Sequence, residues 1–146
     1  MIDSILLVDD EDLFHLVFED ACSLLDITLS LNAINSSDEA EKMFKKWLNN
    51  GDSEKERPAC VFVDLNIIGS SFDGIELIRR INFQYGNHVV IGIISSSNES
   101  DEQAKAVAAG AQFWIIKSDE IEPRLEEFLK DYSGYENRTN PFKVYK

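Results

Sequence analysis

Two cysteines and three prolines among 146 residues leave the chain little covalent or conformational bracing. Two cysteines are too few for a disulfide framework. Cys22 falls in an expected helix and Cys60 opens an expected strand, so both read as buried thiols of a reducing compartment. Basic residues are also scarce, with 14 Lys plus Arg against 27 Asp plus Glu and a formal net charge of −13. Such a surface repels phosphate backbones and anionic headgroups, which argues against nucleic-acid or membrane binding. It favours a partner with a basic face, or a bound cation. No apolar run approaches a membrane span. The start, Met1-Ile2-Asp3-Ser4, lacks the basic region of a secretory signal and soon meets acids, so the expected location is the cytoplasm. Neither an internal repeat nor a low-complexity segment is present, and the length suits one domain with a sizeable core.

What the chain does have is a series of short apolar runs that stop at polar residues. Ser4-Ile5-Leu6-Leu7-Val8 stops at Asp9-Asp10-Glu11, Cys60-Val61-Phe62-Val63 at Asp64, Val89 to Ile94 at Ser95, and Phe113-Trp114-Ile115-Ile116 at Lys117. Unbroken runs of this length suit parallel strands covered on both faces. A further strand is expected over Ile27–Ala33. Between the strands lie helical patterns. Asp12–Leu25 places Leu13, Leu16, Val17, Ala21, Leu24 and Leu25 at helical spacings. A helix from Ser36-Ser37-Asp38-Glu39 towards Leu48 carries Ala40, Met43, Phe44 and Trp47 as its apolar stripe. Ile75–Phe83 and Glu99–Ala109 follow, the latter with Gly110 as a left-handed cap, and Ile121–Tyr132 buries Leu125, Phe128 and Leu129. Asn49–Pro58 reads as a surface loop.

Five alternations of strand and helix predict an α/β fold: a doubly wound, five-stranded parallel sheet of order 2-1-3-4-5, flavodoxin-like. The expected domain covers residues 1–132. Residues 133–146 show no period and are expected to form a tail, partly disordered or packed locally.

In that order the polar residues ending the strands meet at one sheet edge. Three carboxylates, Asp9, Asp10 and Asp64, gather with the Ser95 hydroxyl and the Lys117 ammonium. Crowded carboxylates need a hard divalent cation, and Mg²⁺ takes oxygen ligands while keeping waters. A carboxylate nucleophile can take up a phosphoryl group as an aspartyl phosphate, and Asp64, being central, is the candidate acceptor. Singly, each residue has a plainer reading: a helix cap for Asp9-Asp10, a turn residue for Ser95 and Asp64, a solvated charge for Lys117. Their agreement across four strand ends is the signal.

With these pieces in place, the sequence resembles a response-regulator receiver domain of two-component signalling. The match runs through Ile5 to Asp10, Val61 to Asn66, Asp73-Gly74, Ile93 to Ser96, and Gly110-Ala111 to Ile116-Lys117, in the family's order, over Ile2 to about Tyr132. The resemblance implies that Asp64 accepts a phosphoryl group from a sensor histidine kinase or phosphotransfer protein. It implies Mg²⁺ held by Asp10, Asp64 and the Asn66 backbone carbonyl, with Asp9 close by. Ser95 and Lys117 would bind the phosphoryl group, and Trp114 stands at the family's switch aromatic. Asn66 and Ser97 stand where the family tunes phosphoryl lifetime; the Ser97 side chain cannot orient a water as an acid or amide would.

The expectation is therefore a stand-alone signalling receiver, not an enzyme in its own right, acting on a downstream protein target or relay; a homodimer is left open. A pseudo-receiver that binds partners without phosphorylation is the main rival. A phosphatase of the haloacid-dehalogenase type is disfavoured because its acidic pair comes late and its nucleophile early. Two departures from the family stand out. Ile67-Ile68-Gly69 replaces the usual Pro after the acceptor, in a slightly lengthened loop, and Ser118 replaces the Pro after the lysine, so a trans peptide is expected there. His15 and His88 match no motif and are given no role.

Overall fold

In the computed structural model, residues 2, 4–25, 30–49 and 58–146 are described. The strands are β1 (Ser4–Val8), β2 (Ser30–Ile34), β3 (Cys60–Val63), β4 (Val90–Ser95), β5 (Phe113–Ile116) and β6 (Lys143–Tyr145). The helices are α1 (Asp12–Leu24), α2 (Ser37–Asn49), α3 (Gly74–Tyr85), α4 (Ser100–Ala109) and α5 (Glu122–Glu136), with a single 3₁₀ turn at Gly86–His88. All strand pairs are parallel and the order is β2-β1-β3-β4-β5-β6. The doubly wound α/β sheet is thus as the sequence predicts, with one strand more. The 27–29 part of the expected second strand and the 50–57 part of the expected loop lie outside the described residues.

Alternation along each strand sorts its side chains onto two faces. Leu6, Val8, Val61, Val63, Ile91, Ile93 and Trp114 form one core with α2, α3 and α4. Ile5, Leu7, Cys60, Phe62, Ile94, Phe113 and Ile115 form the other with α1 and α5. The predicted α2 stripe does its expected work: Ala40, Phe44 and Trp47 are buried and Met43 packs at the edge. Gly110 ends α4 at φ +112°, a conformation that costs a side chain but not glycine. Both cysteines are free and buried, and burial raises both thiol pKa values, that of Cys22 to about 11.

One expectation needs correction. In α1, Leu13, Leu16 and Leu24 face solvent at 73%, 59% and 70% exposure. The buried residues are Phe14, Phe18, Ala21 and Cys22. The helix carries two overlapping apolar stripes. The one with aromatic rings wins, because Phe18 meets the Phe62 ring edge-on at 5.2 Å and rings bury more area.

The stretch 133–146, expected as a tail partly disordered or packed locally, packs locally. Residues 133–136 complete α5, and the chain then turns at Arg138, whose φ is +63°. Arg138 Nη2 donates to the carbonyls of Gly86 and Val89 at 2.6 and 3.0 Å, and Asn140 Nδ2 donates to Asp131 O at 2.7 Å. The last residues then pair Lys143, Val144 and Tyr145 with Phe113, Trp114 and Ile115. Tyr145 is buried against Phe128. Its hydroxyl shares a 2.8 Å hydrogen bond with that of Tyr135 and lies 2.7 Å from Asp131 Oδ2. The β5 edge, where an open sheet would end, is therefore covered.

Tyr145→Ala should cost about 3–5 kcal/mol, the usual range for emptying a buried aromatic site. Tyr145→Phe, which keeps the ring, should cost about 1 kcal/mol. Urea unfolding of the two variants checks the ranking.

Candidate functional site

The strand register delivers the polar residues to one edge. β1 and β3 are neighbours, with Val8 opposite Val63, and the Asp64 amide still donates to Val8 O at 2.8 Å. Asp9 and Asp64 therefore leave adjacent strands side by side. On the next pair, Lys117 N donates to Ser95 O at 2.8 Å, which ties the lysine's backbone to the end of β4. Ser95 is buried. The Lys117–Ser118 peptide is trans, since no described bond is cis.

Carboxylate oxygens of Asp9, Asp10 and Asp64 all lie within 4.8 Å of one another. Lys117 Nζ stands among them, 2.8 Å from Asp9 Oδ2 and 3.6 Å from Asp64 Oδ2, with the Phe14 ring 4.5 Å away. Asp9 Oδ1 accepts from Glu11 N at 2.8 Å, and Asp64 Oδ1 accepts from Leu65 N at 2.8 Å. Asp9 Oδ2 is buried without a hydrogen bond of good geometry. Its sole close partner among the described residues is the lysine ion contact.

Electrostatics follow from crowding. Burial and then the Asp9 charge push Asp64 up from 3.8 to about 7, against the opposing pull of Lys117. Asp9 is also raised, by burial that outweighs its bond to Lys117. Burial pulls Lys117 down, but its bonds to Asp9 and Glu11 and the Asp64 charge outweigh that, and it stays firmly protonated. One ammonium thus serves three acids that repel one another.

The donor set fits a hard divalent cation on two counts. It is all oxygen, and it crowds three carboxylates, among them a buried Asp9 Oδ2 whose one close contact among the described residues is the Lys117 ammonium. Asp9, Asp10 and Asp64 would hold the ion, with Asn66 next in the same loop and exposed.

Further out, Ser95 Oγ accepts from Ser97 N at 3.2 Å. The Ser97 hydroxyl donates to Glu102 Oε1 at 2.6 Å, so it is committed to the first turn of α4. Trp114 is fully buried and its indole Nε1 donates to Ser97 O at 3.0 Å. β5 and the β4–α4 loop are thereby joined by a bond that a Phe ring could not make.

Three features escape sequence reading. Glu11 reaches over the site to Lys117 Nζ at 2.7 Å. His15, given no role from sequence, sets Nε2 at 2.6 Å from Asp9 O. Only an N–H donating to that carbonyl makes sense of the contact. Ser37 and Asp38, read as helix-capping residues, bond to the loop after β3 instead. Glu11 and His15 sit one and five residues beyond Asp10, and that proximity in sequence is the one signal available.

A family model described as "Response regulator receiver domain" matches residues 5–127. No curated protein matches. Among solved structures, the phosphorylated cyanobacterial phytochrome response regulator RcpA is 18% identical, covering 96% of this chain and 97% of that one, with a TM-score of 0.71. The Mn²⁺-bound form of the response regulator Rcp1 is 17% identical over 95% and 98%, with a TM-score of 0.69. A response regulator from Thermotoga maritima is 22% identical over 91% and 99%, with a TM-score of 0.70. At these identities the structures speak for the fold, while the family model spans most of the chain. The chain belongs to the response regulator receiver domain family of two-component signalling.

Proposed function

We propose that this receiver takes a phosphoryl group onto Asp64 from the phosphohistidine of a sensor kinase or phosphotransfer protein. The observation that carries the reading is the meeting of three carboxylates and one lysine at a single strand edge. An Asp64 carboxylate oxygen attacks phosphorus. The phosphorus–nitrogen bond to the donor histidine breaks, and its electron pair returns to the imidazole, which picks up a proton. The product is a mixed carboxylic–phosphoric anhydride.

Mg²⁺, held by Asp9, Asp10, Asp64 and the Asn66 carbonyl, supplies charge neutralisation for the phosphoryl oxygens when bound. Lys117 holds one of those oxygens by a charge-assisted bond, for which it lets go of Asp9 or Glu11. Ser95 Oγ exchanges its Ser97 N–H bond for a phosphoryl oxygen and draws the β4–α4 loop inward. That loop carries Ser97 O, the acceptor of Trp114, so α4, β5, β6 and α5 form the surface that responds. Ser97, committed to Glu102, does not present its hydroxyl to an attacking water, and hydrolysis is slow; Asn66 also bears on the lifetime. The reader of the surface is a downstream protein or relay partner in the cytoplasm, and nucleic acid and membranes are not its partners. No described helix is long and apolar enough to cross a membrane.

Incubation with acetyl phosphate should add the mass of one phosphoryl group only when Mg²⁺ is present. Asp64→Asn should add none. No adduct on the wild type under any condition would point instead to a phosphorylation-independent binding module.

A further inference from the structure

The loop between β3 and α3 is the part of the site that the family pattern explains least, and it is also the part with the most unusual support. Ile68, one residue into the departure from the family, is 82% exposed. Asn66, Gly69 and Ser71 are exposed as well. Few hydrogen bonds within the loop itself hold it in one shape. Gly74 N donates to Leu65 O at 3.0 Å to close its base, and Ser70 N donates to Ile67 O at 3.3 Å across its middle. Leu65 and Ile67 plug into the core beneath it, and Phe72 packs against that core with the Arg80 guanidinium 3.9 Å over its ring.

The remaining support comes from another element. Ser37 opens α2, and its side chain is fully buried. Its hydroxyl donates to Phe72 O at 2.6 Å, and its backbone N–H donates to Ser70 Oγ at 3.0 Å. Asp38 Oδ2 accepts from Ser71 N at 2.8 Å. The cap of α2 is made separately by Ser36, whose Oγ accepts from Glu39 N at 3.1 Å. A helix start leaves N–H groups without partners in its first turn. Here the neighbouring loop takes up one of them, while two side chains at the helix start return bonds to the loop. The exchange satisfies Ser70, Ser71 and Phe72 in succession.

We infer that the N-terminus of α2 positions the metal end of the site: Ser37 and Asp38 clamp the β3–α3 loop so that the Asn66 carbonyl faces the Asp9, Asp10 and Asp64 carboxylates. They are positioning residues and touch no reacting atom. The inference rests on the Mg²⁺ reading above and adds the structural source of its fourth ligand. Residues that orient a metal ligand typically alter affinity by about tenfold to a hundredfold when removed. The clamp also gives α2, on the far side of the sheet edge from the switch surface, a route to the site: whatever displaces the start of α2 loosens Mg²⁺.

The test is calorimetric Mg²⁺ titration of the full chain, with acetyl phosphate labelling in parallel. Ser37→Ala with Asp38→Ala should weaken Mg²⁺ binding by about tenfold. It should speed amide exchange at Ser71. Labelling should recover towards the wild-type rate at saturating Mg²⁺, a change in the apparent affinity and not in the maximal rate. Asp38→Asn keeps an oxygen for Ser71 N and should behave like wild type, which separates the bond from the charge. Should Ser37→Ala fail to fold, Asp38→Ala alone, a surface change, decides the matter. Unchanged Mg²⁺ affinity in the variants, with or without a lowered melting temperature, overturns the inference and leaves the phosphoacceptor reading standing. A wild type that binds no Mg²⁺ overturns both.

Discussion

Asp64→Asn should stabilise the metal-free protein at about pH 8 by up to roughly 4 kcal/mol, while abolishing phosphoryl uptake. The stabilisation follows from removing a buried charge that two other acids repel. The carboxyl's pKa is 3.8 ordinarily and about 7 in the fold. Below 3.8 it is neutral in folded and unfolded chains alike, and the substitution is nearly silent. Between the two values the folded chain keeps a proton that the unfolded chain has released, so wild-type stability falls as pH rises. Above 7 both forms are ionised and the full penalty is present, at 1.36 kcal/mol per tenfold in the equilibrium. The Asn variant lacks this slope. Mg²⁺ should reverse the ranking by neutralising the carboxylates, raising wild-type stability most at high pH and that of the variant least. Urea midpoints of both proteins at about pH 5 and about pH 8, with and without Mg²⁺, give the eight values needed. A variant less stable than wild type at the higher pH without metal would contradict the crowded-carboxylate picture.

Gly74→Ala should damage both the fold and the geometry of the polar cluster. Gly74 begins α3 with its Cα against the strand end, and a Cβ there would stand 2.0 Å from the Asp64 carbonyl oxygen and 3.0 Å from Val63 Cγ1. Neither neighbour is a flexible side-chain tip. Its φ is not positive, so the demand for glycine comes from close approach and not from backbone conformation. Relief requires α3 or the Asp64 backbone to move. Overpacking of this kind costs about 1–3 kcal/mol or more. A displacement of about 1 Å at the acceptor should slow labelling by on the order of a hundredfold. The two effects separate by experiment. Labelling of the folded variant, measured well below its melting temperature, should still be slow. A variant that melts lower but labels at the wild-type rate would show that the helix, and not the acceptor, gives way.

The parts legible from sequence are those in which one residue type has one physical use. Unbroken apolar runs ending at Asp9, Asp64, Ser95 and Lys117 mark buried parallel strands and their carboxyl ends, because such strands carry no polar face. Strand–helix alternation then narrows the sheet to a doubly wound order, and the observed order extends it by one. What remained hidden depends on competition between groups distant in sequence. The face of α1 was decided by Phe18, with Phe14 against it, meeting Phe62, a contact across some forty residues. β6 is three residues long and has no period of its own. It exists because Arg138 tolerates a left-handed turn and because the Tyr145 hydroxyl finds Tyr135 and Asp131. Ser37 and Asp38 look like any helix start until the loop of Ser70 and Ser71 is beside them. Glu11 is one more acid in an acidic chain until Lys117 reaches it.

The central claim is that Asp64, and no other acid of the crowded edge, carries the phosphoryl group. Its most direct test is to treat the full chain with acetyl phosphate and Mg²⁺, reduce the acyl phosphate with borohydride, and map the peptides. Borohydride converts an aspartyl phosphate to homoserine. The account predicts homoserine at position 64 alone, absent when Mg²⁺ is chelated. Homoserine at position 9 or 10, or at none of the three while the chain is folded and Mg²⁺ is bound, would contradict it.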